Sequence, residues 1–238
     1  SVFLITRQKH YSDNKNYLWK FNPLDFSWSK HNLPSNIIVS NFTSNGEKIY
    51  IYDGTNNNFW EYNAINDSWI QKKSYPGIKR GGASHFSING EVYLGMGSFQ
   101  KQYTTTNLRD FYKYNSTTDT WVKISDFHSN GNHRRYGSAT FVINDIAYLG
   151  NGATDTGMND FWSYNSKTDS WIRIADFVDA RHSTAAFSLN NYGYVTGGSS
   201  VAGYNVNYCW KYDPKLNTWE KIENVGTVKR ELHFSFIL

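Results

Sequence analysis

Aromatic and polar residues alternate in five similar segments of the chain, each ending in a tryptophan. In one of them, Trp162 and Tyr164 stand two positions apart, and six polar residues then lead to Trp171. Alternation with a period of two predicts half-buried β-strands, and the polar run predicts a tight turn. Each segment therefore predicts two antiparallel strands joined by a turn. The segment recurs at residues 18–28, 59–69, 111–121, 161–171 and 209–219.

The closing tryptophans of these segments divide the chain into units of nearly constant length. Their successive separations are 41, 52, 50 and 48 residues, which is the length of a propeller blade. An arginine at the head of four units stands six residues before a phenylalanine, although Asn36 takes this place in the second unit. A tyrosine followed by glycines lies between the phenylalanine and the closing segment. The head arginines are Arg80, Arg135, Arg181 and Arg230.

Each unit is predicted to contain four strands and no helix. Ser84–Ile88 and Glu91–Leu94 alternate around Asn89-Gly90, a pair that tolerates the positive φ angles of a tight hairpin turn. The third and fourth strands carry the aromatic segment described above, with turns such as Asn115–Asp119 between them. Because no stretch has a 3.6-residue period, the sequence predicts an all-β fold.

These motifs together resemble the kelch repeat, and the resemblance covers nearly the whole chain. It implies a β-propeller of four-stranded antiparallel blades around a central channel. Val2–Trp28 supplies three strands and Leu232–Leu238 supplies one, so we expect the C-terminal strand to complete the N-terminal blade and close a five-bladed ring. Part of a larger ring is the alternative. The single domain, 1–238, would then have blades at about 230–238 plus 1–31, 35–73, 80–126, 135–176 and 181–223.

Composition narrows the classes of partner. Only 18% of residues are charged and 18% are aromatic, and the net charge of +4 is scattered along the chain, so nucleic acid is not expected as a partner. No apolar run is long enough for a membrane helix, and direct membrane insertion is not expected. The many Asn, Ser, Thr and Tyr residues favour an extracellular, cell-surface or periplasmic protein, with the cytoplasm left open. We expect a monomeric ring from a longer or processed precursor.

The loops are the predicted place for recognition, because long loops on a rigid scaffold carry most binding sites. Loops between second and third strands, such as Arg7–Asn16 and Thr55–Asn58, and loops between blades, such as Pro76–Lys79, should share one face. The most distinctive stretches of this face are Ser98–Arg109 and His133–Tyr136. Because the arginines recur in register, we favour a structural role for them, bonding loop carbonyls at blade junctions. The recurrent Trp and Tyr side chains are expected to form the core between blades, whereas Tyr103, Tyr136 and Tyr204 break the repeat and are better ligand candidates. The candidate ligand-binding residues are Arg80, Tyr103, Asn107, Arg109, His133, Arg134, Tyr136, Arg181, His182 and Tyr204.

Catalytic and metal-binding motifs are not evident. The seven histidines show no metal-ligand spacing, although His85 and His233 fall on first strands and could face the channel. Cys209 is predicted to be a packed small side chain. We therefore predict no catalytic residue, no metal and no cofactor.

Three functional hypotheses remain. The first is a non-enzymatic module that holds a protein segment or a glycan on its loop-rich face, within a larger surface or secreted assembly. The second is a carbohydrate-active enzyme, because the kelch resemblance includes propellers that oxidise galactose or interconvert sialic acid anomers. The oxidase needs a crosslinked cysteine at a copper site, which the lone Cys209 argues against; for the anomer-converting enzyme, Arg134 or Arg181 would hold a sugar carboxylate. The third is a structural domain of an assembly.

Overall fold

The repeats form antiparallel sheets in the computed structural model, which describes residues 2–10, 13–34, 37–45, 48–127, 134–155, 157–200 and 202–224. The first is a three-stranded sheet, here called the N-terminal sheet, in the order β1-β2-β3. It matches the three strands predicted for this part of the chain, although the strands extend into the predicted loop 7–16. Its strands are β1 (Val2–His10), β2 (Asp13–Asn22) and β3 (Ser27–Asn32).

Four four-stranded blades follow, each in the order first, second, third and fourth strand. Blade A is β4 (Val39–Ser44), β5 (Lys48–Asp53), β6 (Phe59–Asn63) and β7 (Ser68–Lys72). Blade B is β8 (Ser84–Ile88), β9 (Glu91–Gly95), β12 (Phe111–Asn115) and β13 (Thr120–Ile124). Blade C is β14 (Ala139–Ile143), β15 (Ile146–Gly150), β16 (Phe161–Asn165) and β17 (Ser170–Arg173). Blade D is β19 (Ala185–Leu189), β20 (Tyr192–Thr196), β22 (Cys209–Asp213) and β23 (Thr218–Ile222).

The all-β prediction is confirmed, since none of the described residues is helical, and the four blades have a propeller arrangement. The predicted closing strand, Leu232–Leu238, and the predicted head residues Asn36 and Arg230 lie outside the described residues.

Two short pairings were not predicted. Inside the predicted loop Ser98–Arg109, β10 (Ser98–Lys101) and β11 (Thr104–Asn107) form a hairpin. Its turn includes Gln102 at a φ of 54°. β18 (Arg181–His182) pairs with β21 (Ser199–Ser200) at the entrance to blade D. The loop is therefore a structured projection and not an irregular connection.

Aromatic side chains fill the spaces between blades, as the repeat predicted. The ring of Phe86 in blade B stacks on Tyr93, 4.9 Å away, and approaches Tyr164 of blade C at 6.1 Å. Phe141 of blade C repeats this arrangement with Tyr148 and reaches blade D. At that junction the missing side chain of Gly193 makes room for the Phe141 ring. Burial of these rings between blades is the main stabilising contribution.

A second set of contacts joins neighbouring sheets at their outer strands. The indole of each closing tryptophan donates to a backbone carbonyl that lies four residues after the preceding tryptophan. The described pairs are Trp69 to Asn32 at 2.9 Å, Trp121 to Lys73 at 2.8 Å, Trp171 to Ser125 at 3.4 Å and Trp219 to Ala175 at 3.1 Å. This contact repeats at all four junctions and explains why the tryptophan recurs.

Candidate functional site

The two faces of the propeller differ as the strand order requires. One, here called the turn face, carries the tight turns within hairpins, such as Asn89-Gly90, where both residues have positive φ. The other, here called the loop face, carries the connections between second and third strands and between blades. Among the described residues, the long connections lie on the loop face, so it is the natural place for a recognition site.

A groove of about 480 Å³ opens on the loop face. The β10–β11 hairpin contributes one wall and Tyr136 from blade C contributes another. Gly81 and Ser98 exchange two backbone hydrogen bonds of 2.8 and 2.9 Å, which fix the hairpin against the entrance of blade B. The lining residues are Gly54, Thr55, Lys79, Arg80, Gly81, Ser98, Phe99, Gln100, Thr105 and Tyr136.

The segments that enter blades B, C and D are joined to one another beside this groove. The amide of Gly137 donates to the carbonyl of Gly82 at 3.0 Å, and the amide of Ser183 donates to the carbonyl of Gly137 at 2.9 Å. All three residues have positive φ. The floor is therefore rigid backbone, and the side chains that project from it are held in fixed positions.

The head arginines support these segments from inside. Arg80, Arg135 and Arg181 are at most 1% exposed. Each donates from Nη1 to a carbonyl sixteen residues later, at 3.0, 3.0 and 3.1 Å respectively. The predicted bonding of loop carbonyls is thus confirmed. Each guanidinium is also paired with a carboxylate: Arg80 with Asp110, Arg135 with Asp160, and Arg181 with Asp179.

This pairing decides what Arg80 and Arg181 can do. Burial alone would lower the pKa of Arg80, but the hydrogen bonds that it donates to Asp110 raise this pKa above the ordinary value, so the guanidinium stays charged. Its charge is already matched by Asp110 at 2.8 Å. Arg80 reaches the groove from below, and the side chain of Arg181, the first residue of β18, is buried. Both residues position the loops, and neither presents a free guanidinium to solvent.

Tyr136 and His182 are the predicted residues that the structure brings together. They occupy the same place in blades C and D, one residue after the head arginine, and their rings lie 6.1 Å apart. Arg134 is exposed beside them. The predicted residue His133 lies outside the described residues. Tyr136 is the only one of this group in the groove lining given above, so it joins the groove to the neighbouring surface.

The other predicted residues are spread more widely. Tyr103 is 94% exposed at the tip of the β10–β11 hairpin, and Asn107 is its last residue. Arg109 forms a 3.6 Å ion pair with Asp126. Tyr204 is 72% exposed in a turn, and its backbone amide donates to Ser200 Oγ at 3.3 Å. None of these four lines the groove, so they would contact only a ligand that extends beyond it.

Several groove residues were missed from the sequence. Lys79 and Thr55 lay in predicted loops but were not singled out, and Phe99, Gln100 and Thr105 belong to the unpredicted hairpin. An apolar residue, Phe99, between the polar residues Ser98 and Gln100 is the alternation that indicates a strand here, and the polar run after it indicates a turn. Its turn lacks the usual Asn-Gly pair, which is why the pattern was missed.

Comparison with known proteins places the fold in a family. The model of the KLHDC2/KLHL20/DRC7 Kelch-repeats domain matches residues 43–238. The chain belongs to the kelch-repeat family. Among solved structures, that of YjhT superimposes with a TM-score of 0.70 at 18% identity, covering 83% of this chain and 69% of the other. At that identity the likeness supports the fold alone.

One curated relative of this kelch protein is named N-acetylneuraminate epimerase, from Escherichia coli O9:H4 (strain HS). It is 31% identical over 111 residues, which is 44% of this chain and 29% of the relative. The match thus spans less than a third of the relative's length.

The exposed charge near the groove of this kelch protein is mainly positive. Lys79, Lys101 and Arg134 are exposed, with Asp155 as the exposed acid in the corresponding loop of blade C. Within the described ranges, no group of three or more His, Cys, Asp or Glu side chains is arranged to hold a metal ion. The same part of the chain contains no helix that could span a membrane. Cys209 is buried, and burial raises the pKa of its thiol.

Proposed function

We propose that the loop face of this kelch propeller is a non-enzymatic interaction module that holds a protein segment or a glycan. The groove beside the β10–β11 hairpin is the observation that carries the proposal. Its volume of about 480 Å³ lies within the usual range for small-ligand sites, about 300–1,000 Å³. A kelch propeller is also a common scaffold for interaction, although a fold alone does not define a function.

The chemistry of the groove supports recognition by several weak contacts. Tyr136 offers an aromatic face, Thr55, Gln100 and Thr105 offer hydrogen-bonding groups, and Lys79 offers one positive charge. Tyr103, Arg134 and His182 extend the surface on either side. A short peptide segment or an oligosaccharide would use such a mixture of stacking and hydrogen bonds.

The remaining features of the proposal concern the whole molecule. We propose that the protein acts at the cell surface, outside the cell or in the periplasm. Its propeller would be a monomeric ring and one domain of a larger assembly. We also propose that Leu232–Leu238 completes the N-terminal sheet to give a fifth blade. The repeated tryptophan contact supports such closure, because Trp28 is 45% exposed and the carbonyl of Glu223 stands four residues after the last closing tryptophan.

The test begins with the intact protein and applies whether its partner is a protein or a glycan. The protein is weighed by native mass spectrometry after isolation from its source, and purified protein is screened against a glycan array and a displayed peptide library. The affinity of any binder is then measured for Tyr103→Ala, Arg134→Ala and Tyr136→Ala. We expect Tyr136→Ala to weaken binding at least about tenfold, as loss of a central aromatic contact does.

Phe26→Ala is the matched control, because Phe26 is a 77% exposed aromatic side chain in a turn on the turn face. It should leave affinity unchanged, and all four variants should retain the near-UV circular dichroism of the native protein. Binding that survives the three loop-face substitutions with the fold intact would reject this surface.

A second candidate is a carbohydrate-active enzyme, such as one that interconverts sialic acid anomers. The curated relative named N-acetylneuraminate epimerase favours it, and Lys79 or Arg134 could hold a sugar carboxylate. The test is the rate at which the protein equilibrates freshly dissolved N-acetylneuraminate anomers, followed by proton NMR. Acceleration that is lost in Lys79→Met would support the enzyme, and a rate equal to that in buffer would reject it.

A further inference from the structure

The last strand of the N-terminal sheet departs from the repeat at two positions on one side of the strand. Ser29 and His31 stand one and three residues after the closing tryptophan. In the other units the first position is Ile70, Val122, Ile172 and Glu220, and the second is Lys72, Ile124, Ile174 and Ile222. Ile124 and Ile174 pack against the core between blades. His31 therefore replaces a packing residue with an imidazole, and Ser29 replaces a mostly apolar rim residue with a hydroxyl.

These two side chains form a relay with an acid from blade A. Ser29 Oγ lies 2.8 Å from His31 Nε2. His31 Nδ1 lies 2.8 Å from Asp67 Oδ1, in the turn between β6 and β7. The order of groups is hydroxyl, imidazole and carboxylate, each within hydrogen-bond distance of the next. The same order and contacts define the serine nucleophile, base and orienting acid of hydrolases on unrelated folds.

The hydrogen-bond partners fix which imidazole nitrogen carries the proton. The hydroxyl of Tyr62 donates to Asp67 Oδ1 at 2.7 Å and lies 3.0 Å from His31 Nδ1. Hydrogen bonds from Tyr62 and His31 lower the pKa of Asp67, so its carboxylate is ionised and can only accept. Burial raises the pKa of Tyr62, which keeps its own proton for Asp67. The proton on neutral His31 therefore belongs on Nδ1, and the lone pair of Nε2 faces Ser29.

The surroundings suit a nucleophile that is open to solvent. Ser29 is exposed, whereas the side chain of His31 is only 15% exposed and packs edge-on against Tyr62. The imidazole is thus held by the fold, whereas the hydroxyl, which also lies 3.5 Å from the carbonyl of Lys20, is open to solvent. Lys20 is the direct cross-strand neighbour of Ser29, and its ammonium lies 3.4 Å from the carbonyl of Ala64. Its positive charge, which helps to lower the pKa of Asp67, would also offset negative charge that develops on a substrate oxygen.

We propose that Ser29, His31 and Asp67 form an acyl-transfer site that cleaves exposed ester bonds by a serine nucleophile. The site lies near the turn face, between the N-terminal sheet and blade A, and is separate from the loop-face groove. Ser29 is the nucleophile and His31 is the general base. Asp67 is a positioning residue that acts through His31, and Tyr62 orients Asp67.

Ester hydrolysis at this site needs no reagent other than water. Ser29 Oγ bonds to the ester carbonyl carbon while its proton passes to His31 Nε2. The bond to the alcohol oxygen then breaks, and the proton on Nε2 passes to the leaving alcohol, which gives an acyl ester on Ser29. Water attacks this ester, His31 accepts a proton from the water, and that proton returns to Ser29 Oγ as the acid leaves.

A fluorophosphonate probe tests the site directly, because it bonds to an activated serine with loss of fluoride. The whole protein is treated with the probe and the modified residue is located by peptide mass spectrometry over time. We expect the adduct on Ser29, none in Ser29→Ala, and hydrolysis of 4-nitrophenyl butyrate that is lost in the same variant. His31→Gln should slow labelling of Ser29 at least about a hundredfold, the usual contribution of a general base.

Ser27 is the matched control, since it is exposed on the same strand but neighbours the carboxylate of Asp25. Ser27→Ala should leave the labelling of Ser29 unchanged. Ser29→Ala removes only an exposed hydroxyl and keeps the bonds among His31, Asp67 and Tyr62, so its thermal unfolding should match that of the native protein. Labelling of Ser29 no faster than that of Ser27, or an equal rate in a folded His31→Gln protein, would overturn the proposal.

Discussion

The buried pair of Arg135 and Asp160 should contribute much more to stability than an exposed pair of the same chemistry. Asp160 accepts from Arg135 Nη1 at 2.7 Å and Nη2 at 2.8 Å, and also from the indole of Trp162 at 2.7 Å. Arg135 is 0% exposed and Asp160 is 8% exposed. Asp160→Ala therefore removes the paired charge from a guanidinium that water does not reach.

The expected cost follows from this burial. Removal of one partner from a buried ion pair costs about 3–5 kcal/mol, because the remaining charge loses its compensation. For a chain of this length, that loss corresponds to a decrease of about 6–20 °C in Tm. The measurement is urea unfolding followed by tryptophan fluorescence, with the slope of the transition compared between variants to check that the same surface is exposed.

Asp176→Ala provides the control within the same blade. Asp176 accepts three hydrogen bonds, of 2.8, 3.0 and 3.1 Å, from Nε and Nη2 of Arg173. The side chain of Asp176 is 41% exposed, however, and that of Arg173 is 55% exposed. An exposed pair contributes about 0–1 kcal/mol, so this variant should unfold close to the native midpoint. Equal midpoints for Asp160→Ala and Asp176→Ala would refute the argument that the buried pair contributes more to stability than the exposed pair.

Two further predictions concern a histidine on a first strand and a blade junction. Asn41 Nδ2 donates to His85 Nδ1 at 3.0 Å, which requires a neutral imidazole, and burial lowers the pKa of His85 to about 4. In the unfolded chain the imidazole binds a proton near pH 6.5. The free energy of unfolding should therefore fall as the pH decreases from about 6.5 to 4. His85→Gln should lessen that fall, which urea titrations at several pH values would measure. Gly193→Ala should cost about 1–3 kcal/mol, because its new methyl group meets the Phe141 ring, whereas Gly81→Ala, which meets open space, should not. A Gly193→Ala protein as stable as Gly81→Ala would contradict this packing.

The repeat made the blades predictable from sequence, because each strand and turn occurs several times. The prediction of Ser84–Ile88 matches β8, and the turn Asn115–Asp119 lies between β12 and β13 as expected. What could not be predicted is which carboxylate pairs with the head arginine in each blade. Arg80 uses an acid thirty residues later, Arg135 one twenty-five residues later, and Arg181 one two residues earlier. No constant spacing links these partners, so only the folded chain reveals them.

The candidate site on the loop face was predictable as a region but not as a set of side chains. Tyr136 was singled out because it broke the repeat, and it does line the groove. Arg80 and Arg181 were also candidate ligand-binding residues, yet their charge is matched by Asp110 and Asp179 inside the fold. Exposure depends on which carboxylates the loops bring close, and this depends on loop paths that have no repeated pattern.

The same reasoning explains how a repeat protein makes room for chemistry on its rim. At two junctions the acid before the closing tryptophan, Asp119 or Asp169, accepts a backbone amide of the preceding blade at 2.9 or 3.0 Å. At the first junction Asp67 instead accepts from the imidazole of His31, while Trp69 still bonds the carbonyl of Asn32. Since the tryptophan contact and the aromatic packing remain, the junction tolerates a contact to the imidazole of His31 in place of a contact to a backbone amide. A reactive group can arise there because the repeat supplies the other contacts that hold the blades together.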